Sequence, residues 1–123
     1  MATINPSINN DVSSLGGSKV VAWVLPTTGD TGAPIRLDRF SISSFSVFGT
    51  TVTSLGLQGS NDADAPTNWN PMKDWAGTSL GALNTAGFFT PRDLPIWVRP
   101  VLTTGAAVTV QMALHRGDMA ASG

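Results

Sequence analysis

The 123-residue sequence contains no cysteine, no glutamate and no tyrosine, and its only histidine is His115. Without cysteine the chain has no disulfide and offers no thiolate to a metal. A single imidazole cannot form the multi-histidine sets of zinc sites, and the serines lie in no nucleophile-elbow pattern. Because an enzyme needs a poised base, nucleophile or metal, we predict no catalytic activity, no bound metal and no cofactor.

Charge is also scarce. Charged residues make up 12% of the chain and the net charge is −1, with seven lysines and arginines in total. Nucleic-acid binding depends on clustered basic residues, so a nucleic-acid partner is not expected. The chain has no apolar run long enough to span a bilayer, and residues 1–10 lack the basic region and apolar stretch of a signal peptide. We therefore expect no membrane association and synthesis in a cytoplasm.

Two of the residues that usually cover helix surfaces are scarce, because glutamate is absent and lysine is rare. Lysine occurs only at Lys19 and Lys73, whereas the chain has 13 glycines and 8 prolines. This composition disfavours long helices and predicts an all-β protein. Serine and threonine replace charged residues as the polar component, and they lose little side-chain entropy when a partner docks.

The hydrophobic pattern divides the chain into three parts. Residues 1–18 show no β or helical period and are predicted to be an extended N-terminal arm, which is either disordered or ordered against a neighbour through Ile4, Pro6 and Ile8. Residues 19–116 form the folded domain. Residues 117–123 are a flexible C-terminal tail.

Strand signals recur through the domain. The segment from Val108 to Leu114 alternates apolar and polar residues, which is typical of a strand with one buried face. Pro100 interrupts the predicted strand that precedes this segment, Ile96 to Leu102, and suggests an edge or a bulge at that point. Turn signals recur at intervals of about 8 to 12 residues, which predicts a single-domain β-sandwich or jelly roll of about seven to eight short antiparallel strands.

The four tryptophans are unusual in so small a chain. Trp23 and Trp97 lie in apolar strands and are predicted to belong to the core. Trp69 and Trp75 flank a polar hairpin, where they form a sugar-binding platform, a protein contact or the lid of the core; the sequence leaves these three alternatives open.

The hairpin before Trp69 carries two aspartates, Asp62 and Asp64, next to Asn61. Their oxygens could contact Ca²⁺, but the spacing and terminal glutamate of an EF-hand are missing. An ordinary turn, in which an aspartate accepts backbone N–H groups, is the favoured interpretation.

Several segments resemble small virion proteins of tailed bacteriophages. In those proteins a GSND…NW hairpin precedes an aromatic-rich strand, a VRP strand and a final VTV strand. The corresponding segments in this chain are Leu57–Trp69, Phe88–Phe89, Trp97–Val101, Thr103–Gly105 and Val108–Gln111. The similarity covers about half the chain, and the Asp-Ala-Asp-Ala-Pro insertion in the hairpin departs from the pattern.

The resemblance implies a capsid decoration or cement protein on the outer surface of the virion. Such a protein is made in the host bacterial cytoplasm, self-associates as a dimer or trimer, and binds the major capsid protein so that neighbouring capsomers are bridged. The residues expected to contact a partner are the anchors of the arm and the exposed aromatic candidates, namely Ile4, Pro6, Ile8, Trp69, Trp75, Phe88 and Phe89.

Two other functions remain open on the sequence alone. The same hairpin also resembles one in discoidin-like, galactose-binding sandwiches, which would make the chain a carbohydrate-binding module of a phage tail or fibre. A head-to-tail adaptor or tail component is the third possibility.

Overall fold

The computed structural model describes residues 2–10, 18–37 and 40–116, and within these ranges the chain forms strands and turns but no helix. The predicted tail, residues 117–123, lies outside the described residues, as does part of the predicted arm. The strands are β1 (Thr3–Ile4), β2 (Ser7–Asn10), β3 (Ser18–Leu25), β4 (Thr31–Gly32), β5 (Ile35–Arg36), β6 (Phe40–Ser60), β7 (Asn70–Pro71), β8 (Gly87–Phe89) and β9 (Trp97–Arg116).

Two long antiparallel strands, β6 and β9, form the centre of the fold. They pair over nearly their whole lengths, and bulges shift the register near Ser44 and Ser54. Between these bulges the backbones approach closely, because a Cβ on Gly49 would lie 2.2 Å from the Ala107 carbonyl oxygen. Bulges bend strands, so β6 and β9 pass from one layer of the fold to the other.

The other strands pair with one half or the other of this long pair. The first layer has the order β2, β3, the C-terminal half of β9, the N-terminal half of β6, and β8. In the second layer β4 and β5 pair with the N-terminal half of β9, β1 pairs with β4, and β7 pairs with the C-terminal half of β6. The predicted all-β sandwich is therefore confirmed.

A single hydrophobic core lies between the layers. Trp23 is its largest fully buried side chain, and its indole N–H donates to the Ala33 carbonyl oxygen at 3.0 Å. The first layer also contributes Val21, Leu25, Ile42, Phe45, Val47, Val108, Val110, Met112 and Leu114, whereas the second layer contributes Leu55, Leu57, Val98 and Leu102. Alternation in the last strand thus marks its buried face, as predicted.

The strands differ from the sequence prediction in length and continuity. β6 has 21 residues and β9 has 20, although short strands were expected. No edge occurs at Pro100, because β9 pairs with β6 on one side and with β4 and β5 on the other. The register nevertheless changes there as the predicted bulge requires, since Thr31 pairs with Val101 and Ile35 pairs with Val98. Pro100 lies opposite Leu57 in a continuous strand, between the residues of β9 that pair with β4 and with β5. Its missing N–H therefore falls where no ladder bond is needed.

Trp97 is also placed differently from the prediction. It is only half-buried, because Val98 is the residue that points into the core and adjacent side chains of a strand face opposite ways. The Trp97 indole N–H donates to the Asp62 carbonyl oxygen at 3.0 Å. Trp97 therefore fastens the hairpin of residues 60–69, called the 60s hairpin below, onto the outer face of the second layer.

The described part of the predicted N-terminal arm is paired with the domain. β1 runs parallel to β4, and β2 runs antiparallel to β3. The Ala2 N–H donates to a carboxylate oxygen of buried Asp30 at 3.0 Å. Strands of two and four residues at a sheet edge are too short to show an alternating pattern, which is why the sequence did not reveal them.

Candidate interaction surface

The outer face of the first layer exposes three large apolar side chains. Phe88 is 82% exposed, Val24 57% and Phe48 45%. Phe88 lies beside Ser46 across the β6/β8 pair, and Phe48 is separated from Val24 by Thr109 of β9. We call this surface, formed by Val24, Phe48 and Phe88, the aromatic face.

A groove of about 440 Å³ lies between the two phenylalanines of the aromatic face. Its walls are Phe48 and Phe88, and its polar lining consists of the neutral side chains of Ser46 and Gln111. A groove with aromatic walls and no charged residue suits an apolar side chain of a partner, since interface cores are enriched in aromatic residues and depleted in charge.

The candidate contact residues of the N-terminal segment and of β8 divide into two groups. Ile4 and Phe89 are half-buried and pack against the core, with the Phe89 ring stacked 5.4 Å from that of Phe45. Part of each side chain is therefore covered by the domain itself, and their contact with a partner stays a prediction. Ile8 is 50% exposed on the edge strand β2, and Pro6 is half-buried. Phe88 is the most exposed of the predicted contact residues.

Trp75 and Trp69 have different surroundings. Trp75 is 71% exposed in a turn where the Asp74 carboxylate accepts the N–H groups of Ala76 and Thr78. This exposure excludes the core-lid interpretation for Trp75. Trp69 is half-buried, and the Arg99 guanidinium lies 4.1 Å from its ring centre. One face of Trp69 is therefore covered and cannot stack on a sugar.

A polar cleft of about 370 Å³ lies beside the 60s hairpin. It is lined by Gly59, Ser60, Asn61, Asp62, Asn68, Asn70, Pro71, Met72, Asp93 and Pro95. The side chains of Asp62, Asn68, Asn61 and Asp93 already hold loops. Asn61 accepts the Ile96 N–H at 3.1 Å, and Asp93 accepts the Lys73 N–H at 3.0 Å. The cleft is thus built from loop-forming contacts.

Asp62 organises this hairpin. Its carboxylate accepts the backbone N–H groups of Thr67 at 2.7 Å and Asn68 at 2.9 Å, and also the Asn68 side-chain amide. These donors hold the pKa of Asp62 far below its ordinary value of 3.8. The geometry is that of the turn favoured from the sequence. No group of three or more histidine, aspartate or glutamate side chains that could hold a metal occurs among residues 2–10, 18–37 and 40–116.

We expect Asp62→Asn to lower the melting temperature at neutral pH, because a neutral amide accepts these N–H groups less strongly than a carboxylate does. The folded-state pKa is depressed, so the contribution is fully present above the ordinary pKa and is lost as pH falls through 3.8 and below. Melting curves of wild type and variant should therefore converge in acid. Asp64→Asn, in the same loop but outside these bonds, is the control; equal losses in both variants would contradict this role.

Phe48, Val24 and Arg99 were not identified as surface features from the sequence. For Phe48 a usable signal existed, because Phe45 and Val47 share one side of β6 and Phe48 falls on the other. No local pattern predicts that Arg99 lies over Trp69, 30 residues earlier in the chain. The described residues contain no helix long and apolar enough to cross a membrane.

No protein-family model matches this chain, and no curated protein matches it in sequence. Several solved structures are similar in fold. The SPBc2 prophage-derived protein YomS aligns with 11% identity and a TM-score of 0.56, covering 79% of this chain and 93% of that protein. A cupin domain from Bordetella pertussis Tohama I aligns with 14% identity and a TM-score of 0.45 over 94% of both chains. Chitosan-binding module 1 of a chitosanase/glucanase from Paenibacillus sp. IK-5 has 18% identity and a TM-score of 0.47, covering 76% of this chain and 75% of that one.

Proposed function

We propose that this protein is a bacteriophage capsid decoration protein, which binds the outer surface of the major capsid protein and bridges neighbouring capsomers. It acts by adding contact area and carries out no chemical reaction. In this proposal the protein self-associates as a dimer or trimer, is made in the host bacterial cytoplasm, and is then carried on the virion. The aromatic face is the surface that meets the shell.

The observation that carries the proposal is the exposure of Phe48 and Phe88 on a neutral sheet face. Exposed apolar side chains grouped around a groove are typical of interaction sites. The resemblance of the 57–114 segment to small phage virion proteins supports the choice of partner, and the fold is shared with a prophage-derived protein. A specific contact buries about 800 Å² per partner, and many copies on one shell add avidity.

The copy number in purified particles of the encoding phage tests this function directly. Gel densitometry against the major capsid protein should give on the order of hundreds of copies per particle, since avidity over a shell requires a repeated contact. A few copies per particle would indicate an adaptor or tail component, and absence from the particles would refute a virion role.

We expect Phe88→Ser to weaken binding to particles stripped of this protein by at least about tenfold, because aromatic residues at an interface centre are common hot spots. Its stability should change by no more than about 0.5 kcal/mol, since the side chain is already exposed. Binding isotherms from co-sedimentation measure the effect. Leu94→Ser removes another exposed apolar side chain outside the aromatic face and is the control. Equal binding by Phe88→Ser and wild type would contradict the assignment.

Carbohydrate binding is the second candidate function, and the exposure of Trp75 favours it. An exposed indole can stack on a sugar ring, whereas Trp69 has one face covered by Arg99. Binding on a glycan array that Trp75→Ala abolishes would establish this function. An array without signal would remove it.

A further inference from the structure

Arg99 is held in a fixed orientation on the outer face of the second layer. Its Nε–H donates to the Gln58 side-chain oxygen at 3.0 Å, and Gln58 is its partner in the β6/β9 register. The guanidinium lies 4.1 Å from the centre of the Trp69 ring. Two contacts thus fix the plane and the direction of a side chain that is otherwise flexible, so little entropy is left to lose on binding.

Among the described residues, no carboxylate balances the charge of Arg99. Its described contacts are a neutral amide and an aromatic ring, and no ion pair joins it to an acidic residue within the described ranges. The Asp62 carboxylate accepts the N–H groups of Thr67 and Asn68. The Asp93 carboxylate is paired with Arg92, with 3.4 Å between Arg92 Nε and Asp93 Oδ1. Partial burial lowers the pKa of Arg99 by desolvation, but a guanidinium stays protonated.

The hydrogen-bonding capacity left on Arg99 has a definite geometry. A guanidinium has five N–H groups, and Gln58 uses the one on Nε. The two terminal nitrogens, Nη1 and Nη2, keep the others, and among the described residues the Arg99 side chain has no hydrogen bond besides the one to Gln58. A pair of parallel N–H groups on these two nitrogens matches the two oxygens of a carboxylate end-on.

The small number of basic residues in the chain favours a protein carboxylate over a polyanion as the ligand of Arg99. Alternation along β9 places Trp97 and Val101 beside Arg99 on the same face, and Ser60 lies opposite Trp97. Nucleic acid would require many basic residues, whereas this chain has seven in total and a net charge of −1. Arg36 pairs with Trp97 in the β5/β9 register, and its guanidinium lies 5.7 Å from the centre of the Trp97 ring. The face therefore presents two arginines, each over a tryptophan, and these residue types are typical of protein interface hot spots.

We propose that Arg99, oriented by Gln58 and Trp69, is a recognition site for an aspartate or glutamate side chain of a partner protein. This inference rests on the proposed function, in which the partner is the major capsid protein, and it identifies a second contact surface on the layer opposite the aromatic face. A domain with a contact on each outer face can join two surfaces of a shell.

Binding to stripped particles of the encoding phage tests the site. Arg99→Gln should weaken binding by at least about tenfold, because removal of one partner leaves a carboxylate unpaired at the interface. Arg99→Lys keeps the charge but loses the paired N–H groups, so it should restore only part of the affinity. Arg92→Gln, which alters an exposed arginine already beside Asp93, is the control and should bind like wild type. Melting curves of all variants establish that each is folded.

The readouts separate the site from the function. Affinity of wild type should fall more steeply with salt than that of Arg99→Gln, and a reconstruction of decorated particles should place a carboxylate within hydrogen-bond distance of Nη1 or Nη2. Wild-type affinity in Arg99→Gln, with Phe88→Ser defective, would overturn the carboxylate site and leave the proposed function standing. Failure of wild type to bind the particles would overturn both.

Discussion

Replacement of Trp23 by alanine should lower the free energy of unfolding by about 3–5 kcal/mol, the usual cost of truncating a buried aromatic residue. Trp23 is fully buried, and it packs between the two layers. Its removal leaves a cavity at the centre of the core and also leaves the Ala33 carbonyl without its donor. Because small domains are stable by about 5–15 kcal/mol, the variant should lose a large share of that stability.

Urea denaturation followed by circular dichroism measures this loss. Trp75→Ala is the matched control, since it removes the same side chain from a position that is 71% exposed, and it should stay within about 0.5 kcal/mol of wild type. Trp23→Phe separates the two contributions, because it keeps most of the ring volume but removes the N–H. Equal stability of Trp23→Ala and Trp75→Ala would show that the described core is wrong.

Replacement of Gly32 by valine should destabilise the protein by about 3 kcal/mol, at the upper end of the range for overpacked cores. A Cβ at this position would lie 2.5 Å from Cδ of Pro100 and 2.7 Å from Cδ1 of Trp23. Both neighbours are rings held in the buried region where the layers meet, so neither can rotate away. The added side chain must therefore separate β4 from the core.

Thermal unfolding of Gly32→Val against wild type tests this contact. Ala106→Val adds two methyl groups at an exposed position of β9 and should leave stability within about 0.5 kcal/mol. A Gly32→Val variant as stable as Ala106→Val would mean that Gly32 does not touch Trp23 and Pro100. The same result would contradict the close packing of β4 against β9 at Pro100.

The all-β class could be predicted because glutamate is absent, lysine is rare, and glycine and proline are frequent, and the buried face of the last strand could be predicted because Val108 to Leu114 alternate. The lengths of β6 and β9 could not. Short strands were expected, whereas Gly49 lies inside β6 where the paired backbones approach closely, and Pro100 lies inside β9 where one lateral partner replaces another.

The candidate surfaces were predicted less completely than the fold. Phe88 was identified as a contact residue and is exposed, but its neighbour Phe89 packs on Phe45. Trp69 was identified without the arginine that covers it, because Arg99 comes from a different strand. The decoration function, the capsid partner and the absence of catalysis remain predictions.

The sequence by itself determined the class of the fold, the alternation of the last strand and the neutral, hydroxyl-rich character of the surface. These are local properties, since composition and a period of two act within one segment. Only the tertiary structure decided that Phe48 and Phe88 share an uncovered groove and that Arg99 lies on Trp69. A strand's own residues set which way each side chain points, but strands distant in sequence decide whether anything covers it.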